Sequence, residues 1–363
     1  MGIFSSAAKE PPVPYLETDD DDVDEEFQGP LNKAIVMLYS YVGTGCHGLQ
    51  YNINQLTIET FLFRALGKAK LIPKDAYLNL NKIRWHEASR TDVGVHAATQ
   101  TLSFRVHLAD GIKAFEVCKM IQENMPPASP ITVHAVIFSQ NFNAQRFADG
   151  RRYQYLMPLH TFKEQTKEHL QFINETILPH FVGTKNYHNY TKRISAKSES
   201  AIRTIWKFEI SEPFKLNREQ YVCWTIHGQS FMLNQIRKMI ATALCVSYGL
   251  LSIDNLDKTF TEERWALSKL PGDGLFLDKV EYTAWKKKNG NKPGNDVEFE
   301  TFRPSVEKWK NDVLYPSITS HVAKTDLFRI WVNTVMKEFP PVPQDDNRAE
   351  SEGKRRRKKN QNE

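Results

Sequence analysis

The chain has 363 residues, 40% of them hydrophobic and 25% charged, enough for one large core or two domains of a soluble globular protein. No apolar run approaches the length of a membrane span, and the four scattered cysteines (Cys46, Cys118, Cys223, Cys245) form no C-x-x-C pair, which argues against a cysteine zinc site and for a reducing compartment. The net charge of +5 is uneven: residues 1–26 hold one lysine and nine acids, residues 345–363 hold seven bases and five acids, and the body between them is left at +11. A body that basic suggests a polyanionic partner, since Lys and Arg release counterions from phosphates; the alternative is an ordinary solvated surface.

Residues 1–30, with 17-ETDDDDVDEE-26, are too acidic to bury a core, so a disordered start is expected. They are also the opposite of an Arg-rich transit peptide. The run 34-AIVMLYSY-41 reads as a strand. In 57-TIETFLFRALGKAK-70, Ile58, Phe61, Leu62, Ala65 and Leu66 share one helical face behind Thr57 as a candidate N-cap. The run 82-KIRWHE-87 is strand-like. In 99-TQTLSFRV-106, Leu102, Phe104 and Val106 alternate with polar neighbours, the period of a half-buried strand. A second helical stripe, 112-IKAFEVCKMIQENMP-126, stops at Pro126 and Pro127, and 131-ITVHAVIF-138 alternates again.

After residue 150 the pattern recurs. A strand at 152-RYQYLMPL-159 leads to a helix over 164–178, then to strands at 203-RTIWKFEI-210 and 221-YVCWTIHG-228. A long helix over 230–249 follows, then another helix and a strand at 274-GLFLDKVEY-282. Half-buried alternating strands predict an α+β fold, an antiparallel sheet of two similar halves with helices packed on it. The likeness of the halves lies in pattern and suggests a duplicated module. The tail, 345–363, is expected to be disordered, and 354-KRRRKK-359 reads as a nuclear localisation signal or a phosphate-binding block.

Two loops stand out. The first, 40-SYVGTGCHGLQYN-52, contains a G-x-G-x-x-G in Gly43, Gly45 and Gly48. A dinucleotide site would need a helix opening at the last glycine and an acidic residue about 20 residues on. Here the helical pattern starts only near Thr57 and the region 66-LGKAKLIP-73 has no acid, so the match fails its context. The second, 88-ASRTDVGVHAATQTLSF-104, places Asp92 between strand-like runs, with Gly94 free to turn sharply after it. Arg90, two residues earlier, can reach the same pocket and would hold the carboxylate ionised with a depressed pKa, which suits a nucleophile. The bland alternative is an Asp-capped turn braced by Arg.

The segment 89-SRTDVGVHA-97 resembles the catalytic motif of the TruA family of pseudouridine synthases, usually G-R-T-D-A/K-G-V-H-A. Five further segments resemble that family in the same order: the opening loop at Gly43, Thr44, Gly48 and Gln50; 142-FNAQRFADGRRYQYLMP-158; 183-GTKNYHNYTKR-193; 228-GQSFMLNQIRKM-239; and 271-PGDGLFLDKVEY-282. The resemblance covers about residues 33–285 and is nearest to the eukaryotic branch acting on several tRNA positions. Asn234 stands where those relatives often carry His, Tyr190 where they carry Phe, and Ser89 replaces Gly.

The resemblance implies an isomerase that converts uridine to pseudouridine in tRNA, at anticodon-arm positions first, with snRNA or mRNA as further RNAs. It implies a catalytic cleft between the halves, no cofactor and no metal. Asp92 would be the nucleophile, Arg237 its catalytic partner, and Tyr153 the ring under a flipped uracil. Arg90, Arg152 and Lys238 would contact the substrate, with Arg151, Arg193 and Arg203 as further phosphate contacts. The division expected is 31–160 for the first half, 161–290 for the second and 291–344 for a C-terminal extension. The chain is expected to be a monomer or homodimer away from membranes, in the nucleus, with mitochondrion and cytoplasm left open. A catalytically silent RNA binder on the same scaffold, or an unrelated nucleic-acid adaptor, would share the basic charge.

Overall fold

The computed structural model describes residues 29–290, 298–336 and 342–343. The expectations for the acidic start and the basic tail fall outside the described residues. The first module contains β1 (Lys33–Tyr41), α1 (Ile58–Lys68), β2 (His86–Glu87), β3 (His96–Val106), α2 (Ala114–Glu123) and β4 (Ile131–Phe138). The second contains β5 (Gly150–Pro158), α3 (Lys167–Phe172), β6 (Gly183–Asn186), β7 (Ile202–Ile210), β8 (Phe214–Leu216), β9 (Glu219–Gly228), α4 (Gln235–Ser247), α5 (Ile253–Lys258), β10 (Trp265–Ala266) and β11 (Leu275–Glu281). After α6 (Thr283–Asn289) come α7 (Arg303–Trp309), α8 (Tyr315–Thr325) and α9 (Leu327–Trp331).

Ten strands form one sheet in the order β4-β1-β3-β11-β5-β9-β7-β6, with β2 beside β3 and β8 beside β9. The order exposes the duplication. β4-β1-β3-β2 and β11-β5-β9-β7 are the same 4-1-3-2 arrangement of a β-α-β-β-α-β unit. The second unit begins at β5, whose ladders run to β9 and β11, so residues 150–158 belong with it and not with the half expected to end at 160. All ladders of the large sheet are antiparallel except β3 with β11, where the modules meet in parallel over Phe276–His96 and Leu277–Ala97. The antiparallel sheet expected from alternation is therefore present, with one parallel seam.

Local chemistry explains most boundaries. Thr57 caps α1 as expected, and Thr60 answers it reciprocally, each hydroxyl accepting the other's backbone N–H at 3.3 Å. The helix expected from residue 230 starts only at Gln235, because Asn234 sits in the left-handed region at φ 63°. The helix expected over 164–178 is α helix only to Phe172, then a π-helical turn, Ile173–Ile177. β3 is buried along both faces where alternation implied one. Its second face is covered by the C-terminal extension: α7 packs on β3, and Trp309 donates to Thr132 Oγ1 on β4.

The extension is riveted to the sheet by one carboxylate. Asp278, wholly buried, meets Arg152 Nε at 2.6 Å, Lys310 Nζ at 2.9 Å and Arg303 Nη2 at 3.2 Å. Burial alone would raise its carboxyl, but Lys310, Arg152 and Arg303 hold it down at about 2. Asp278→Asn keeps the shape but leaves Arg152 facing a neutral group, and leaves Arg303 and the buried Lys310 with only the half-exposed Glu307. Breaking such a pair costs about 3–5 kcal/mol. We expect a loss of that size in urea unfolding at pH 7; a change within error would show that the cluster is not a rivet.

Candidate active site

The seam opens a wedge. Along β3, His96 and Ala97 pair with β11, whereas Leu102 and Ser103 pair with β2. Residues 88–95 rise through the gap between. Ala88 N–H donates to Thr101 O at 2.9 Å, and Gln100 Nε2 donates to Ser89 O at 2.7 Å. From the second module, Arg151 Nη2 donates to Ala88 O at 2.8 Å. Tyr41 Oη and Thr91 Oγ1 lie 2.7 Å apart. Val95 N–H then returns to Asp92 O at 3.1 Å, closing a turn with Gly94 at φ 75°, a conformation that favours glycine. Asp92 thus heads a turn fixed by backbone and side chains from both modules.

The glycine loop 43–48 packs backbone to backbone on this turn. A Cβ on Gly43 would lie 2.2 Å from Val95 O, and one on Gly48 would lie 3.0 Å from Thr91 O. Gly94 N–H reaches Cys46 O at 3.4 Å and Leu49 N–H reaches Thr91 O at 3.3 Å. The loop is a buttress for Asp92, which is why its spacing imitates a nucleotide cradle without the helix one needs. Gly45 meets nothing within 4 Å at its Cβ position.

His96 joins this buttress to the second module. Its Nδ1 accepts from Gly43 N–H at 2.9 Å, so the proton sits on Nε2, which donates to Asp273 O at 2.8 Å. Burial lowers its pKa to about 4, partly offset by the Asp273 carbonyl and carboxylate, and the ring stays neutral.

Asp92 is half-buried, and that burial raises its pKa, opposed by Arg237, Lys269 and Lys192. The depression expected from Arg90 is not found. Ser89 and Thr91 point inward to Tyr153 and Tyr41, so Arg90 between them points out; it is exposed, and its charge acts on Glu59 and Glu87. Arg237, in the first turn of α4, is aimed by donating from Nε to Leu270 O at 2.7 Å, with Asn234 Oδ1 3.4 Å from Nη1. Lys238 donates to Asn189 O at 2.8 Å and Thr191 O at 3.3 Å; burial and the charges of Arg264, Lys192 and Lys269 bring it down to about 8.

Tyr153 is 6% exposed, its ring meets Phe231 edge-on at 5.4 Å, and its hydroxyl lies 2.6 Å from Ser89 Oγ. Burial raises its pKa, and the Asp92 charge adds to that rise. Tyr153 therefore lines the Asp92 site. Arg152 does not: strand alternation turns it to the opposite face, into the Asp278 cluster. Its neighbour Arg151 shares the face of Tyr153 and reaches Ala88.

The extension adds contacts outside the resemblance. His321 Nε2 lies 3.0 Å from Asp273 Oδ1, Trp331 Nε1 donates to Lys269 O at 2.9 Å, and Phe328 meets Tyr155, whose hydroxyl donates to Pro271 O at 2.9 Å. The 267–274 segment is held from behind while Arg237 and His96 grip it in front. No sequence pattern marks these residues. A cavity lined by Lys279, Glu300 and Arg303 shares no residue with the Asp92 site. Among the described residues no cluster of His, Cys, Asp or Glu could hold a metal.

A large, mostly antiparallel α/β sheet presenting an aspartate among cations at its seam fits an isomerase of the pseudouridine synthase class. A family model described as tRNA pseudouridine synthase matches residues 177–283. The chain is 30% identical to the mouse (Mus musculus) "Pseudouridylate synthase 1 homolog" over 86% of this chain and 76% of that protein. It is 28% identical to the Homo sapiens protein of the same description, over 83% and 72% respectively. It is 24% identical to "tRNA pseudouridine synthase 1" of Saccharomyces cerevisiae over 81% of this chain and 69% of that protein. The chain belongs to the tRNA pseudouridine synthase family.

Gly43→Ala should force the buttress off Val95 and shift Asp92. A displacement near 1 Å costs about 100-fold in rate. Single-turnover rates on tRNA should fall by about that factor with RNA affinity kept within a few-fold. Gly45→Ala, strained at φ 81° but open to solvent, should cost about 1 kcal/mol of stability and leave the rate alone. Equal rates for the two variants would contradict the buttress.

Proposed function

We propose that this protein isomerises uridine to pseudouridine in tRNA, with Asp92 as the nucleophile and the target base flipped out of its stack into the wedge between the modules. The observation that carries the reading is a half-buried carboxylate whose electrostatic neighbours, Arg237, Lys269 and Lys192, are all cations. These three oppose the effect of burial and favour the reactive ionised form.

Flipping costs a few kcal/mol, which contacts in the cleft must offset. Tyr153 offers an aromatic ring close enough to feel the Asp92 charge. Its phenol is kept protonated by burial, so it serves as a surface for the uracil and a hydrogen-bond donor rather than a base. The Asp92 carboxylate bonds to the nucleotide and the N1–C1′ bond breaks; the base turns, C5 bonds to C1′, the bond to Asp92 breaks so that the carboxylate is regenerated, and N1 takes up a proton. The C5 hydrogen then leaves as a proton, so no oxidant or reductant is consumed. Arg237, held by Leu270 O, acts on the carboxylate through its charge and favours its ionised form. Uridines of the anticodon arm are the sites proposed.

The test is release of tritium from tRNA transcripts labelled at uracil C5. Wild type should release it, and Asp92→Asn should lose at least about 10,000-fold in rate while still binding, in keeping with removal of a reacting group. The acid limb of the pH–rate profile should lie above an ordinary aspartate, because burial raises the Asp92 pKa and only the carboxylate reacts. Arg237→Gln removes an opposing cation, so its limb should move to higher pH still. Tight binding with no release from any tRNA would leave a silent RNA binder.

A further inference from the structure

The cations around Asp92 are more numerous than one carboxylate needs, and the chain holds them together by backbone links. Lys238 Nζ ties down Asn189 O and Thr191 O, so Lys192 emerges beside the first turn of α4. Asn189, 2% exposed, donates to Thr259 O at 2.9 Å and Glu263 O at 2.8 Å, and accepts from Trp265 N–H at 3.0 Å. Those last two bonds flank Arg264 and bring it to the same turn. Arg237 Nε holds Leu270 O and Trp331 holds Lys269 O, which fixes Lys269 on the other side.

Three separate segments, 189–193, 263–265 and 269–270, are thus pinned around Arg237 and Lys238, each bringing a cation. Lys192 and Lys269 are exposed, and Arg264 is half-buried. No carboxylate among the described residues lies within salt-bridge distance of these five side chains, although charges elsewhere on the surface are commonly paired. The acid whose charge acts on Lys269 is Asp92; Glu262 acts on the neighbouring His188, as does Arg264. Lys238 and Lys269 are lowered first by burial and then by their cationic neighbours, and the second effect reflects the same crowding. An ordinary solvated surface would intersperse acids, as the helix α2 pair Lys119–Glu123 does.

We propose that Lys192, Arg264 and Lys269, arrayed around the Arg237–Lys238 turn of α4, form a binding site for the phosphodiesters that flank the reacting nucleotide. The proposal rests on the pseudouridine synthase reading for the identity of the RNA. Its own content is that these cations grip backbone and that the strand enters the wedge over the second module, past the 189–193 loop. Lys238 acts from behind, ordering that loop through its two carbonyl bonds. Phosphate contacts position a nucleic acid without reading its sequence, which suits an enzyme that must present one uridine to Asp92 from a folded arm.

The experiment measures the dissociation constant of an unmodified tRNA transcript across ~50 to 200 mM salt for wild type, Lys192→Gln, Arg264→Gln, Lys269→Gln and the triple variant, with thermal unfolding of each. Each cation neutralised should lower the slope of log K against log salt by about one, so the triple variant should fall by about three. Lys215→Gln on β8, exposed and outside this cluster, should leave the slope unchanged. Tritium release is read on the same samples. An unchanged slope in the folded triple variant overturns the proposal, including the case in which only the rate falls, for the cations would then act on Asp92 alone. A reduced slope with no tritium release from wild type supports the phosphate site and removes the catalytic reading instead.

Discussion

The two modules share only two residue pairs of sheet ladder, and His96 stands in one of them. Two parallel pairs are too little to fix the angle between two modules of this size. The imidazole does what the ladder does not: it takes a backbone N–H from the glycine loop of the first module and gives its proton to a carbonyl of the 271–274 loop of the second. Each such bond nets about 1 kcal/mol, but leaving either group buried and unmet costs about 1–3 kcal/mol. The neutral ring is essential, since a protonated Nδ1 would face a backbone N–H. Because Asp92 is carried by the turn that this joint supports, the geometry of the site depends on it.

Two aspartates show how the same elements give opposite outcomes. Asp278 is buried among three cations that touch it directly, and a second acid, Glu307, meets two of them; the result is a rivet that closes the back of the sheet against the extension. Asp92 is half-buried among more cations than it can answer, and no other acid of the described residues completes the balance. Like charges gathered at one place repel, and partial burial strengthens that repulsion. A fold keeps such a surplus only where other contacts hold the segments, as Asn189, Leu270 and Trp331 do here. One cluster stabilises, and the other stands ready for a polyanion.

Much of this is legible in the sequence. Strict alternation locates β4, and the capping threonine locates α1, because both depend on neighbours in the chain. The Asp92 turn is legible because Gly94 marks a backbone demand. Two site residues are misplaced by sequence reasoning, each for a physical reason. Grouping Arg152 with Tyr153 overlooks the period of a strand, which separates adjacent residues and puts Arg151 on the cleft face. Pairing Arg90 with Asp92 across two residues overlooks the inward contacts of Ser89 and Thr91, which turn Arg90 outward. The bracing by His321, Trp331 and Phe328 cannot be read at all, since it joins segments about 50 to 170 residues apart through single side chains with no periodic signature. Lys192, Arg264 and Lys269 are equally silent: each is an ordinary surface cation until Asn189 and Lys238 gather them.

The claim that the joint at His96 positions Asp92 is tested most directly by the single-turnover rate of tritium release for His96→Gln against wild type, at saturating tRNA and with folding checked by thermal unfolding. A folded variant with intact tRNA affinity and a rate reduced about 100-fold is the result predicted, since the wedge would loosen while the cations remain. A folded variant that turns over as fast as wild type would show that Asp92 is held without the seam, and would contradict the account.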